Sequence, residues 1–375
     1  MLTGKRGGFG AMLPTLQQIN QEPDLELQLV VTDQHVNSKF GRTIAEVEER
    51  FKIAAAVDME QAGDSGADRA RALGTCLTRM AGVLADLNPD VVVLYGDRGE
   101  VLATAVAAMN LGKPIFHIQG GDISGTLDDL MRHAITKLAN IHLVSTKESA
   151  ERLLRMGEED WRIHIVGDLH VDPIVNGYRA SAQEVVAAFS LNLDKAILVV
   201  LQHPDTLEPD QAFCQMNETL AALATTQHQI IVVYPCSDQG HDGIIRAINK
   251  YVHLPKIQVH KNIEAPLFLG LLQVSSVLIG NSSAGLIETP YFPIPAINIG
   301  SRQHGRIHAE NVIHAPYERN AILKAIDIAL NDAAFHQKVL HCRRPFGEGQ
   351  SYRRVVNVIR NTVIEQRLFV KRMTF

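Results

Sequence analysis

Apolar positions along this chain fall into two alternating rhythms. Leu25–Thr32, Val91–Tyr95, Pro114–Ile118, Ile141–Ser145 and Arg162–Val166 are short, nearly unbroken aliphatic runs. Such runs predict strands of a parallel sheet covered on both faces, where polar alternation is lost. Between the first two lies the stretch 64–87, in which Leu73, Leu77, Met80, Leu84 and Leu87 recur at spacings of four, three, four and three. That periodicity predicts a long amphipathic helix, stopped by Asn88-Pro89. Glu100–Leu111 and Asp128–Ala139 read as helices by the same test. After Gly167 and a polar, alanine-rich passage (Asn176–Asn192) the rhythm restarts. Ala196–Leu201, Gln229–Tyr234, Lys256–Val259, Val277–Gly280 and Ala296–Gly300 are the strands of this second half. Strand and helix in alternation predict two α/β domains, 1–172 and 173–350. A last helix, about Ser351–Val370 within 351–375, is expected to cross back to the first.

Composition narrows the classes. At roughly 150 residues per domain, 375 residues suit two or three domains with sizeable cores. Thirty-six basic against 41 acidic residues give a net charge of −5, which disfavours nucleic-acid binding through bulk positive charge. No apolar run approaches the length of a membrane-spanning helix. The Gly-rich, basic start does not read as a signal peptide, so an unsecreted, cytoplasmic protein is expected. Cys76, Cys214, Cys236 and Cys342 lie far apart with no CxxC pair, which argues against a disulfide framework and a structural zinc site.

In open parallel sheets ligands sit at the carboxyl ends of strands, and the unusual polar clusters fall there. Arg6 lies among Gly4, Gly7, Gly8 and Gly10, a turn that lets a ligand approach the backbone without spelling a dinucleotide fingerprint. Gly96-Asp97-Arg98 and Gln119-Gly120-Gly121-Asp122 follow two strands of the first half. Gln202-His203-Pro204, Gly280-Asn281-Ser282-Ser283 and Ser301-Arg302-Gln303 follow strands of the second. Ser282 and Ser283 open a strand-to-helix turn that suits a phosphate or serves only as an N-cap; Glu288 lies further along, within reach of ribose hydroxyls. Asp97, Asp122, Asp128 and Asp129 gather carboxylates at one edge, where mutual repulsion separates acid from base. Each is also explained singly by capping or by ion pairs such as Asp97-Arg98.

These clusters, in this order, resemble the UDP-N-acetylglucosamine 2-epimerase family, and its hydrolysing branch in particular. The most telling stretch is His117–Asp122, Ser124-Gly125-Thr126-Leu127-Asp128-Asp129 and Arg132-His133-Ala134-Ile135-Thr136-Lys137. Gly280–Gly285 with Glu288, and Asn298–Gln303 with Gly305-Arg306, add to it. The resemblance implies two Rossmann-like domains of glycosyltransferase-B type with a central cleft. It implies removal of a proton from C-2 of a UDP-sugar, loss of UDP to a glycal, and hydration to the free manno-configured sugar, with neither metal nor other cofactor. By similarity Asp97 and Asp128 are the acid/base pair, with Asp122, His133 and Gln119 as further candidates. Arg6, Gly10, Arg98, His203, Cys236, Ser282, Ser283, Glu288 and Arg302 match nucleotide-binding positions. Gln119 stands where the branch carries a catalytic Glu; a Gln orients water or holds a hydroxyl but takes no proton. Gly8 replaces an Asp, Cys236 an Asn, and Met1-Leu2 leaves a shorter first strand than is usual. A homo-oligomer in sialic-like acid synthesis is the expected setting. A non-hydrolysing epimerase and a glycosyltransferase-like UDP-sugar binder are the alternatives.

Overall fold

A computed structural model describes residues 1–38, 43–63 and 65–374; the side chain of Arg6 lies outside the described part. The chain divides into two compact units. Unit 1 comprises Met1–Asp122, Leu127–Asn176 and Phe346–Phe375; unit 2 comprises Ile123–Thr126 and Gly177–Pro345. Among the described residues no helix is long and apolar enough to cross a membrane.

Unit 1 holds β1 (Leu2–Thr3), β2 (Leu29–Thr32), β3 (Ile53–Val57), β4 (Val92–Tyr95), β5 (Ile115–Ile118), β6 (Ile141–Val144) and β7 (Ile163–Ile165). All pairings are parallel, in two sheets ordered β1-β2-β3 and β4-β5-β6-β7, and β1 lies beside β4. Read across both, the order is 3-2-1-4-5-6-7, with its topological switch between β1 and β4. Unit 2 holds β8 (Ile197–Leu201), β9 (Gln229–Val233), β10 (Ile257–His260), β11 (Val277–Gly280), β12 (Ala296–Ile299) and β13 (Val312–Ala315). Its single parallel sheet runs β10-β9-β8-β11-β12-β13. This is the same order again, switching between β8 and β11. At such a switch the crossover helices depart in opposite directions and leave a crevice at the carboxyl ends.

The unbroken apolar runs have the cause expected of them. In β8, Leu198 and Val200 pack under the helices Ala212–Leu223, His241–Asn249 and Arg319–Asn331. Ile197 and Val199 of the same strand face Ala182–Phe189 and Ala265–Val274. In unit 1, Cys76, Met80 and Leu84 carry the apolar stripe of the helix Gly66–Leu87 onto β4. Ser65 and Asp68 form a capping box at its start, and Asn88 in left-handed conformation ends it.

Several expectations change. The run Leu25–Thr32 is strand only from Leu29. The passage Asn176–Asn192 contains the helix Ala182–Phe189, opened by Ser181 and Glu184 in a capping box; the S-x-x-E signal was there to be read. The long C-terminal helix breaks into Ser351–Asn361 and Gln366–Phe369. The first of these packs on the helix Arg6–Gln21, within unit 1. Its opening N–H groups, those of Ser351 and Tyr352, donate to the buried carboxylate of Asp172 at 2.8 and 2.7 Å. Strands β3, rich in alanine, and β13 were not anticipated.

Gly280 ends β11 at φ 137°, where an added Cβ would lie 2.2 Å from the Leu201 carbonyl oxygen at the end of β8. Gly280→Ala therefore collides with backbone on the neighbouring strand and is expected to cost on the order of 2 kcal/mol or more. Gly285→Ala, whose Cβ would sit in ordinary contact at 3.5 Å, is expected to change stability by less than about 1 kcal/mol. Chemical denaturation of both variants checks the pair; equal losses would contradict the close approach.

Candidate active site

The carboxyl edge of unit 1 is organised by one cation. Arg132 lies on the helix Leu127–Leu138 and is 1% exposed. Helical spacing sets Asp128 and Asp129 one turn before it, and Nη1 donates to Asp129 at 2.6 Å and to the Asp122 carbonyl at 3.0 Å. Nη2 donates to Asp97, which follows β4. Burial works against this charge, but Asp97, Asp122, Asp129 and Asp128 outweigh it and keep the guanidinium ionised. Arg98 lies 3.6 Å from Asp97 and 3.5 Å from Asp128, so it ties the two candidate acid/base carboxylates together. Asp122 accepts from Ser149 Oγ at 2.5 Å. His133 is pushed down by burial and then by Arg132, which favours its neutral form. Behind the edge, fully buried His117 donates Nε2–H to the Gly96 carbonyl at 2.8 Å; burial pushes it down to about 3.

Gln119 directly follows β5, at φ 69°. Its amide donates to Asp168 Oδ2 at 2.8 Å. Asp168 is fully buried in the loop after β7 and also meets His170 Nδ1 at 2.8 Å. Burial alone would raise this carboxyl; the charge and hydrogen bonds of His170, joined by Gln119, hold it at about 2. Tyr95, the last residue of β4, brings its hydroxyl to within 2.9 Å of the same ring nitrogen. Glu100, buried beside Asp97-Arg98 in sequence, is pushed up to about 7 by burial and by Asp33, against the pull of Lys5.

In unit 2 the switch is closed by Asn281. Its Oδ1 accepts from the His203 N–H at 2.7 Å and its Nδ2 donates to the His203 carbonyl at 2.9 Å, a two-way clasp across β8 and β11. Arg302 and Gln303 both donate to the Asn281 carbonyl, at 3.0 and 2.9 Å. Cys236 N–H donates to His203 Nδ1 at 3.0 Å and its thiol to Asp238 at 2.8 Å; Asp238 is 3.9 Å from Arg302. Ser282 Oγ accepts from the Ala284 N–H at 3.3 Å, while Ser283, at the N-cap position, makes no side-chain capping bond, so the capping reading of this turn is not realised. The helix that follows is a single turn, Ala284–Ile287, and Glu288 stands at its end, not inside a helix.

The structure thus gathers Asp97, Arg98, Asp128, Asp122 and His133 around Arg132 in unit 1. It gathers His203, Cys236, Ser282 and Arg302 around Asn281 in unit 2. Ser283 and Glu288 flank the same short turn. Gly10 lies inside the helix Arg6–Gln21, as does the backbone of Arg6, whose side chain is outside the described residues. Sequence reasoning missed Arg132 as the hub, Asn281 as the clasp, and Asp168, His170 and Tyr95 altogether. The Asp-x-His spacing after a strand was the available signal for that group.

Parallel strands in this order in both units, each unit with polar groups at its switch, define a protein of two Rossmann-like units of the glycosyltransferase-B type. The chain belongs to the UDP-N-acetylglucosamine 2-epimerase family, whose model matches residues 17–360. It is 34% identical to a UDP-N,N'-diacetylbacillosamine 2-epimerase (hydrolyzing) of Legionella pneumophila, over 99% of this chain and 97% of that protein. It is also 34% identical to a UDP-N-acetylglucosamine 2-epimerase of Neisseria meningitidis, over 89% and 88%. Among solved structures it is similar to a Neisseria meningitidis UDP-GlcNAc 2-epimerase bound to UDP-GlcNAc. There the TM-score is 0.81 at 15% identity, covering 96% of this chain and 99% of that one, a likeness of fold.

The Asp168 contact gives position 119 a physical reason to be Gln. Gln119→Glu would set two carboxylates where 2.8 Å now separates amide from carboxylate, and the pair would keep a proton near neutral pH. The folded variant then binds more protons than the unfolded chain, so its stability deficit against the wild type should grow as pH rises from about 4 to 8. Denaturation midpoints across that range check it. In the wild type the sign is opposite. Asp168, held at about 2, contributes stability that is present above about pH 4 and lost as pH falls toward 2.

Proposed function

We propose that this protein is a hydrolysing 2-epimerase acting on UDP-N-acetylglucosamine or a 4-acetamido relative. It releases UDP and the free manno-configured sugar by elimination and rehydration. The observation that carries this reading is the pair Asp97, after β4, and Asp128, on the helix after β5, linked through Arg98. Its clearest support from relatives is the 34% identity to a hydrolysing diacetylbacillosamine enzyme over almost the whole chain. Two carboxylates suit the chemistry because C-2 must lose a proton on one face and regain one on the other. Each positioned group supplies on the order of 10²–10⁴ in rate. Arg98 and Arg132 hold counter-charge beside the two acids.

In this reading the edge of unit 2 takes the nucleotide. His203, Ser282, Ser283 and Arg302 address the phosphates, Glu288 the ribose, and Cys236 the neighbouring contact; Arg6 and Gly10 are further candidates by resemblance alone. The working form is a cytoplasmic homo-oligomer, and the product feeds synthesis of nonulosonic, sialic-like acids.

Asp97→Asn and Asp128→Asn are each expected to abolish UDP release while leaving UDP affinity within a few-fold. Wild-type turnover by either variant would remove that residue from the mechanism. Arg302→Ala and Ser282→Ala should weaken UDP binding, since hydrogen bonds to a charged phosphate are worth about 1.5–3 kcal/mol each. Calorimetry showing unchanged affinity in both would place the nucleotide elsewhere.

A further inference from the structure

The chemistry proposed above, on which this inference rests, has three proton transfers. One removes the C-2 proton as the C-1–O bond to UDP breaks and its electron pair leaves with UDP. A second delivers a proton to the opposite face of C-2 in the glycal. The third takes a proton from the water whose oxygen bonds to C-1. Asp97 and Asp128 account for two, and the third has no group assigned to it.

The loop after β7 supplies a group of the right kind in the right place. It runs back across the carboxyl edge of the sheet: Asp168 meets Ser145 beyond β6 at 3.4 Å and Gln119 just after β5 at 2.8 Å. His170 then reaches Tyr95 at the end of β4, two residues before Asp97. Tyr95 in turn borders the β1–β4 switch, since a Cβ on Gly8 would lie 3.6 Å from its ring. Asp168 is fully buried while the His170 side chain keeps 18% of its exposure, so the pair points one buried anion at one accessible imidazole. With hydrogen on Nδ1, facing Asp168 Oδ1 at 2.8 Å and the Tyr95 oxygen at 2.9 Å, the basic lone pair falls on Nε2. This is the arrangement in which a buried carboxylate orients a histidine and stabilises the imidazolium it becomes. Gln119 completes it by satisfying the second oxygen of Asp168 without adding charge.

We propose that His170, oriented by Asp168 and Tyr95, is the general base of the hydration step. Nε2 takes the proton of the attacking water as its oxygen bonds to C-1, while the C-1=C-2 electron pair takes a proton at C-2. The imidazolium then returns its proton to solvent. Asp168 and Tyr95 are positioning residues, since they act through His170.

The test separates the two halves of the reaction. His170→Gln should still release UDP from UDP-N-acetylglucosamine or its 4-acetamido relative, with KM within a few-fold of the wild type. Hydration should slow by about 10²–10⁴-fold, so that proton NMR shows the glycal accumulating with its vinylic signal. Asp168→Asn should do the same, with its melting temperature recorded to confirm that it folds, and free imidazole should partly restore hydration in His170→Ala. A His170→Gln enzyme that forms saturated sugar in step with UDP overturns the proposal, whether its rate is that of the wild type or uniformly lower. If that happens while Asp97→Asn is inactive, the functional reading stands and this role alone falls. A wild-type protein that releases no UDP from either sugar overturns both.

Discussion

A guanidinium that is 1% exposed cannot stand without anions, and Arg132 sets the terms for the edge of unit 1 around it. Asp129 comes from its own helix, Asp97 from the turn after β4, and a carbonyl from Asp122 after β5. Leaving a buried charge unpaired costs several kcal/mol, so these three segments must arrive together or the edge does not form. The requirement holds Asp97 in place while Asp128 shares the nearby Arg98. Structural demand and the proposed chemical use fall on the same residues, which is why each carboxylate looked explicable as a simple ion pair.

A second constraint comes from topology. Where crossover helices depart in opposite directions, strand ends lose their cover and the backbone there needs partners. Unit 2 answers with Asn281, which spans β8 and β11 with both ends of its amide, and with Arg302 and Gln303 on its carbonyl. Unit 1 answers with the loop after β7, which carries Asp168 across to Gln119 and His170 across to Tyr95. Both solutions place polar side chains where a ligand of this fold class binds.

Much of this was legible in the chain. Unbroken runs such as 197–201 and 277–280 announced strands covered on both faces, and the leucine spacing of 73–87 announced its helix to within a residue or two. The alanine-rich Ile53–Val57 was not legible, because its residues favour a helix and only pairing with β2 makes it a strand. Candidate residues were legible where a motif follows a strand, as with Asp97 and Ser282, or opens a helix, as with Asp128. Arg132 looked like an ordinary helical residue because its burial depends on segments distant in sequence. Gln119 looked like a lost carboxylate. Its partner lies 49 residues away, so no local reading could show that a second carboxylate already stands there.

The most direct test of the account is the product formed in heavy water. With UDP-N-acetylglucosamine or its 4-acetamido relative, NMR should show UDP and a free manno-configured sugar carrying deuterium at C-2. The C-2 proton must leave and be replaced from solvent if elimination and rehydration occur. A gluco-configured sugar that keeps its C-2 hydrogen, or a product still bound to UDP, would contradict the account.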